Sequence, residues 1–300
     1  MKKTLFILLI VFAFSSNTYP EQKISFITVG DWGAKGIDLQ KTVGGQMAQW
    51  AEWNNVQFMI SLGDNFYDNG VQSTDDSQWK TTFEDIYYQQ SLKVPWYAAL
   101  GNHDYHENVQ AEIDYSKISD RWKMPSRFYS FTYKVDDTTN ALFVIMDTSP
   151  LALSDEESKI YEDDVYQFDN TIQIKWLDST LSASNAQWKF VCGHHPVYSG
   201  GYHGGQKEMQ TLIKPILEKN NVQVYFCGHD HDMQHLKSGK VNYIISGAGA
   251  NPRACENTKY TLFYKGKTGG FFGVTLTSAF LYGAFINYDG EEIYKVEIPR

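Results

Sequence analysis

Cysteine is scarce in this chain: three in 300 residues, at Cys192, Cys227 and Cys255. So sparse and odd a set cannot supply a disulfide framework, and a large hydrophobic core must carry the fold instead. Cys192 and Cys227 each precede a histidine by two positions at the end of an apolar run. They read as buried, inert thiols, with a single bridge between them left open. Positive charge is also short, 26 Lys and Arg against 35 Asp and Glu, for a net charge of −9. That balance argues against a nucleic-acid binder and against stable association with an anionic membrane. After the first twenty residues no apolar run is long enough to span a bilayer. Internal repeats, low-complexity tracts and linker-like stretches are missing, as is any N-x-S/T glycosylation sequon.

Hydrophobic residues make up 42% of the chain and aromatics 15%, the composition of a globular protein. The opening "MKKTLFILLIVFAFSSNTYP" has Lys2 and Lys3, an apolar stretch from Leu5 to Phe14, and small residues at Ala13 to Ser16. It reads as a signal peptide over residues 1–20, cleaved near 15–20, on an exported protein, periplasmic or secreted. No cysteine follows the apolar stretch to carry a lipid anchor. Residues 21–300 are expected to form a single domain of α/β class.

One pattern recurs along the chain. A short β-rich apolar run ends in a polar turn: "ISFITVGDWG" at Asp31, "FMISLGDNFY" at Asp64 and Tyr67, "VPWYAALGNHD" at Asn102, His103 and Asp104. "ALFVIMDT" ends at Asp147, "WKFVCGHH" at His194 and His195, and "VQVYFCGHDH" at His229, Asp230 and His231. Continuous apolar runs predict strands covered on both faces, as in a largely parallel sheet. Helices are expected between them, over Leu39 to Trp53, Thr74 to Gln90, Thr171 to Leu181 and Gln206 to Lys219. From about Val241 the texture turns β-rich, and a hairpin is expected at Asp289-Gly290. Asp155 to Asp169 is acidic and irregular and reads as a surface loop.

Ligands of α/β sheets collect at the carboxyl ends of strands, where every polar cluster falls. Carboxylate, phenol, amide and imidazole are oxygen and nitrogen donors for hard or borderline metals. No cysteine stands at an obvious ligand position, which disfavours a zinc-thiolate site. Taken singly, "GD" is a turn and "GHDH" a loop; in series they form a constellation.

The order Asp31-x-Gly33, Gly63-Asp64-x-x-Tyr67, Gly101-Asn102-His103-Asp104, Val191-x-x-His194 and Gly228-His229-x-His231 resembles the purple acid phosphatases. The longer runs "SLGDNFYDNGVQ", "VPWYAALGNHD", "YSKISDRW" and "CGHDHDMQHL" are similar to the small tartrate-resistant acid phosphatases. The resemblance implies a metallophosphoesterase (calcineurin-like) β-sandwich of two mixed sheets flanked by helices. It further implies two adjacent metals, one on Asp31, Asp64, Tyr67 and His231, the other on Asp64, Asn102, His194 and His229, with Asp64 shared. The first set is anionic and suits Fe(III); the second is nearly neutral and suits divalent Fe, Zn or Mn. A phenolate at Tyr67, far below the usual tyrosine pKa, requires a strong Lewis acid beside it.

The implied reaction is hydrolysis of a small phosphomonoester or a phosphoprotein by hydroxide generated on the metals. His103 and His203 match the family's outer histidines, for phosphate contact and leaving-group protonation. The glycines around His203 (Gly200, Gly201, Gly204, Gly205) predict a mobile loop. His106, His195 and His235 match no ligand role, Asp104 is expected to orient a neighbouring histidine, and Trp32 and Phe66 read as packing or rim residues. The disulfide that ties a regulatory loop in the animal enzymes is absent, since "TSPLALSDEESK" and "HGGQKEMQ" hold no cysteine. Two rivals stand beside this. One is another dinuclear phosphoesterase, a phosphodiesterase, nucleotidase or protein phosphatase; such enzymes typically carry D-x-H where Gly33 stands here, and lack the tyrosine. The other is a noncatalytic metal- or phosphate-binding protein, or an iron-redox protein.

Iron-loaded protein is expected to show a broad charge-transfer band near the middle of the visible range that Tyr67→Phe abolishes at equal iron content. A colourless wild type or an unchanged mutant spectrum would count against Tyr67 as the iron ligand.

Overall fold

The computed structural model describes residues 22–152 and 169–300. The stretch read as a signal peptide and nearly all of the acidic stretch read as a loop lie outside the described residues. The chain opens with parallel strands β1 (Ile24–Val29), β2 (Phe58–Ser61), β3 (Trp96–Ala98) and β4 (Trp122–Lys123). Helix α1 (Asp38–Asn54) crosses from β1 to β2, and α2 (Val109–Tyr115) lies before β4. A second sheet follows: β5 (Tyr129–Lys134), β6 (Asn140–Ile145), β7 (Trp188–Cys192), β8 (Val224–Cys227), β9 (Met233–Ser238), β10 (Val241–Ser246) and β11 (Thr261–Lys265). Between β6 and β8 come α3 (Ser149–Ala152), α4 (Asn170–Ala183) and α5 (Lys214–Lys219). The chain then returns to the first sheet as β12 (Gly270–Leu276), β13 (Phe280–Asn287) and β14 (Glu292–Pro299).

The result is two seven-stranded sheets, ordered β14-β13-β12-β1-β2-β3-β4 and β11-β9-β10-β8-β7-β6-β5. Both are mixed. In the second, β6, β7, β8 and β10 run parallel, and β5, β9 and β11 pair antiparallel at its two ends. The expectation of a largely parallel sheet therefore holds for the strands that end at the polar clusters, together with β4 and β10. The antiparallel strands are β5, β9 and, from the C-terminal β-rich part, β11 to β14.

Strand periodicity explains why those runs are apolar throughout. Phe143, Ile145, Phe190, Cys192 and Phe226 point between the sheets, while Leu142, Val144, Val191, Tyr225 and Cys227 point outward beneath Leu177 and Leu181 of α4 and Leu217 of α5. Alternate residues thus meet two different apolar layers. The same period settles the cysteine question. Cys192 pairs with Phe226, so Cys227, the next residue, faces the opposite side of the sheet. Both thiols are free and buried, and burial pushes both well above the usual thiol range.

Two aromatic clusters lock the layers. Between the sheets, Phe26 lies 5.0 Å from Phe58, 5.3 Å from Phe143 and 6.1 Å from Phe226. On the other face of the first sheet, Trp32 sits 5.4 Å from Tyr87 and 5.9 Å from both Trp96 and Phe66, with its indole N–H on Ser61. Trp32 and Phe66 are fully buried, as packing residues.

Helix α1 matches its expected range within a residue at each end. The hairpin forms with Gly290 in the left-handed region at φ 83°. The helix expected over Thr74 to Gln90 is instead a wide turn over Trp79–Glu84 and a tight turn over Gln90–Leu92. The Asp76 carboxylate accepts from the Gln78 amide and starts the turn late. Trp79 and Phe83 then both dive onto Trp122, each 5.2 Å away, and this packing ends the regular periodicity. Phe26→Ala removes the ring shared by both sheets and is expected to destabilise the fold by about 3–5 kcal/mol in urea unfolding.

Candidate metal centre

The parallel strands of both sheets end along one edge, and the predicted residues emerge there. Asp31 follows β1, Asp64 follows β2, Asn102 follows β3, His194 follows β7, and His229 and His231 follow β8. Three of these positions are left-handed although not glycine: Asp31 at φ 57°, Asp64 at 53° and His229 at 68°. Such backbone costs about 1–3 kcal/mol per residue and persists only where the surroundings enforce it.

The enforcement is visible. Asp104 is buried and accepts from the backbone amides of Asn65 (2.9 Å), Phe66 (3.1 Å) and Gly101 (2.8 Å). It ties the turn bearing Asp64 and Tyr67 to the turn bearing Asn102, and so orients backbone where a role on a neighbouring histidine was expected. Asn65 extends the clamp by donating to Ala99 and to the buried Glu112 (both 2.9 Å). Gly33 is required because a Cβ there would collide with the Asn65 carbonyl, where the Tyr67 amide donates to the Gly33 carbonyl at 2.8 Å. A Cβ on Gly101 would likewise strike the Asp64 amide and carboxylate.

The side chains converge as two donor sets sharing Asp64. On one side, the Tyr67 hydroxyl lies 2.6 Å from Asp64 Oδ2, 3.1 Å from Asp31 Oδ1 and 3.1 Å from His231 Nε2. On the other, Asn102 Oδ1 lies 3.1 Å from both His194 Nε2 and His229 Nδ1, and Asp64 Oδ1 is 3.4 Å from His194 Nε2. Two tautomers follow from carbonyl partners. His194 Nδ1 is 2.8 Å from the Leu62 carbonyl and His231 Nδ1 is 2.9 Å from that of Asn251, so both nitrogens donate. In the neutral rings Nε2 is then a lone pair aimed at carboxylate, amide and phenol oxygens. Lone pairs crowded together in a buried site need a cation. Donors at right angles around an ion with bonds of about 2.1 Å stand about 3 Å apart, which is the spacing found.

Electrostatics point the same way. Burial, then Asp31 and Asp64, push the Tyr67 phenol well above its ordinary range. Burial and the neighbouring Asp64 also raise Asp31. Burial alone would raise Asp64 as well, but His194 and His103 bring it down to about 2. Burial and the imidazoles of His195 and His194 hold His229 well below the usual histidine range. Ionised tyrosine and two carboxylates are therefore compatible with this site only around strong positive charge.

His103 lies over this centre from the Asn102 turn. Its ring is 4.5 Å from the Tyr67 ring, its amide donates to Asp64 Oδ1 at 3.0 Å, and Nδ1 is 2.7 Å from the Asp68 carbonyl. His203 comes from the other side, its ring 4.2 Å from that of His229. Its glycine-rich loop is anchored, not loose. The His203 amide donates to Asp230 at 2.7 Å, Ser199 donates to the same carboxylate, and a Cβ on Gly201 would run into it. Gly201 serves this close approach.

Several roles were not legible beforehand. His195 is buried against His229 with ring centres 4.3 Å apart, its Nδ1 taking the Thr148 hydroxyl at 3.0 Å. His235 is structural, between Tyr294 (2.9 Å) and Asn242 (3.0 Å), and His106 lies near the Asp68 carbonyl. Asp147 binds the Tyr105 hydroxyl and so joins the second sheet to the His103 turn; burial lifts its pKa to about 6. Asp104 and Asp230 are the exception, each standing inside a quoted motif, in "GNHD" and "GHDH".

Gly101→Ala is expected to displace Asp64 and to weaken metal uptake about tenfold or more, read by mass spectrometry of bound metal after equilibrium dialysis. Uptake at the wild-type level would mean that the turn tolerates a Cβ.

Comparison with known proteins agrees with this geometry. The family model described as calcineurin-like phosphoesterase matches residues 24–233. The chain is 35% identical to purple acid phosphatase 4 of Arabidopsis thaliana, over 94% of this chain and 85% of that protein. It is 33% identical to the human tartrate-resistant acid phosphatase type 5, over 92% of this chain and 91% of that one. Among solved structures, GAP50, described as the anchor in the inner membrane complex of Plasmodium, superposes with a TM-score of 0.82 at 26% identity, over 93% and 89% of the two chains. Strand-end turns, paired donor sets and kinship together place the chain among the calcineurin-like metallophosphoesterases, in the purple acid phosphatase family.

Proposed function

We propose that the protein is an acid phosphatase that hydrolyses phosphomonoesters at an Fe(III)–M(II) centre, with M being Fe, Zn or Mn. The observation that carries this is the division of Asp64. Its Oδ2 faces a set rich in anionic donors and its Oδ1 a set of imidazoles and an amide. Unequal donor charge on the two sides of one bridging carboxylate suits a trivalent ion beside a divalent one. Asp31, Asp64, Tyr67 and His231 would hold the first ion; Asp64, Asn102, His194 and His229 would hold the second. Bound there, the ions supply Lewis acidity, offsetting phosphoryl charge and acidifying water enough for attack at low pH.

The chain's own groups do the rest. His103 donates through Nδ1 to Asp68, which leaves Nε2 to hold a proton for a phosphoryl or leaving oxygen. His203 stacks on His229 and is exposed, where a departing alcohol would pass. The Asp104 clamp keeps the Asp64 and Asn102 turns in register, so little reorganisation is needed at reaction.

A phosphodiesterase, nucleotidase or protein phosphatase is less favoured, because Gly33 is filled by backbone and Tyr67 stands where a fourth donor is needed. A noncatalytic role finds support in the likeness to GAP50, a protein described as an anchor. The full donor set and both outer histidines favour catalysis here. The opening sequence supports export to the periplasm or the medium.

Metal-loaded protein is expected to release phosphate from p-nitrophenyl phosphate with an acidic optimum, and His103→Ala to lower kcat by about 10²- to 10⁴-fold. Release of no phosphate at any pH from about 4 to 8 would refute the phosphatase proposal and leave the noncatalytic one.

A further inference from the structure

Arg253 belongs to neither donor set, yet its backbone is fixed beside one of them. Its amide donates to the His231 carbonyl at 2.7 Å, and its own carbonyl accepts from Lys267 at 2.7 Å. The side chain runs outward to the rim. Nη1 donates to His203 Nε2 at 3.0 Å, and the guanidinium carbon lies 5.3 Å from the centre of the exposed Tyr202 ring. Since His203 stacks on His229, the groups follow one another outward: His229, His203, Arg253, Tyr202.

Among the described residues Arg253 forms no ion pair; its Nη1 bond goes to a neutral acceptor. A guanidinium offers five N–H donors in a planar fork that fits carboxylate or phosphate in bidentate fashion. Stacking on a ring restricts that fork and lowers the entropy lost when an oxyanion is bound.

We propose that Arg253 is a specificity residue that binds a second oxyanion, carboxylate or phosphate, on the leaving-group side of the substrate. The preferred substrates are then phosphomonoesters of acidic alcohols. The inference rests on the phosphatase function proposed above. In the step, the oxygen of water forms the new P–O bond and the ester P–O bond breaks. Its electron pair leaves on the alcohol oxygen, and the proton lost by water goes to solvent. His203 Nε2, a lone pair once Arg253 has turned away, takes one proton from solvent and passes it to that oxygen. Arg253 releases His203 Nε2 when it turns to the second oxyanion, so recognition and proton transfer use the same imidazole in sequence.

Matched substrates test this on the metal-loaded protein. 3-Phosphoglycerate and glycerol 3-phosphate differ only by carboxylate against hydroxymethyl, while 1,3-propanediol bisphosphate and its monophosphate differ by the second phosphate. The wild type is expected to favour at least one anionic member of these pairs in kcat/KM by about 10- to 100-fold, the range of a charge-assisted bidentate contact. Arg253→Gln should bring that ratio to near one, and Arg253→Lys should restore part of it. The pair that responds identifies the oxyanion. An equal fall on both members of each pair, or a wild type that prefers neither anionic member, overturns the proposal. Hydrolysis of glycerol 3-phosphate with an unaltered ratio removes this inference alone, whereas hydrolysis of nothing removes the phosphatase function with it.

Discussion

The two oxygens of Asp64 are the constraint on which the site depends. One faces Tyr67 and through it Asp31 and His231; the other faces His194, beside Asn102 and His229. A single carboxylate can serve both sets only if its residue is held rigidly, and Asp64 sits in left-handed backbone at φ 53°. The Asp104 clamp, the Gly101 approach and the Gly33 crossing all act to hold it there. The Asp31, Asp64 and Tyr67 oxygens would be unfavourable together as anions in a buried site without a cation.

The sandwich places that carboxylate. Asp31, Asp64 and Asn102 leave one sheet, and His194, His229 and His231 leave the other. The donor sets can meet only because the carboxyl ends of both parallel groups lie along a shared edge. The Phe26 cluster between the sheets fixes their separation. Tyr105 and Asp147 make a further link between the sheets, next to His103. Core packing and site geometry are therefore one problem: a shift of one sheet against the other would separate Asp64 from His194.

What was legible in the chain were the strand ends. Apolar runs closing on Asp31, Asp64, Asn102, His194 and His229 located the edge, because covered parallel strands leave a signature in consecutive residues. Support was legible only in part. Asp104 and Asp230 stood within quoted motifs, but their partners are backbone amides distant in sequence, and no spacing reveals an amide. The Thr74 to Gln90 segment misled because Trp79 and Phe83 answer to Trp122, not to a helical stripe.

The sequence by itself determined the strand-end donors and the kinship those motifs carry, since these are local properties of residue type and order; the division of the donors into two unequal sets was implied only through that kinship. Tertiary structure decided the rest. It put Cys192 and Cys227 on opposite faces of one sheet, turned Gly201 near His203 into a point of contact with Asp230, and brought Arg253 to the rim beside His203. Each of these depends on which surfaces meet across long separations in the chain. That is a matter of packing, which residue order constrains but does not display.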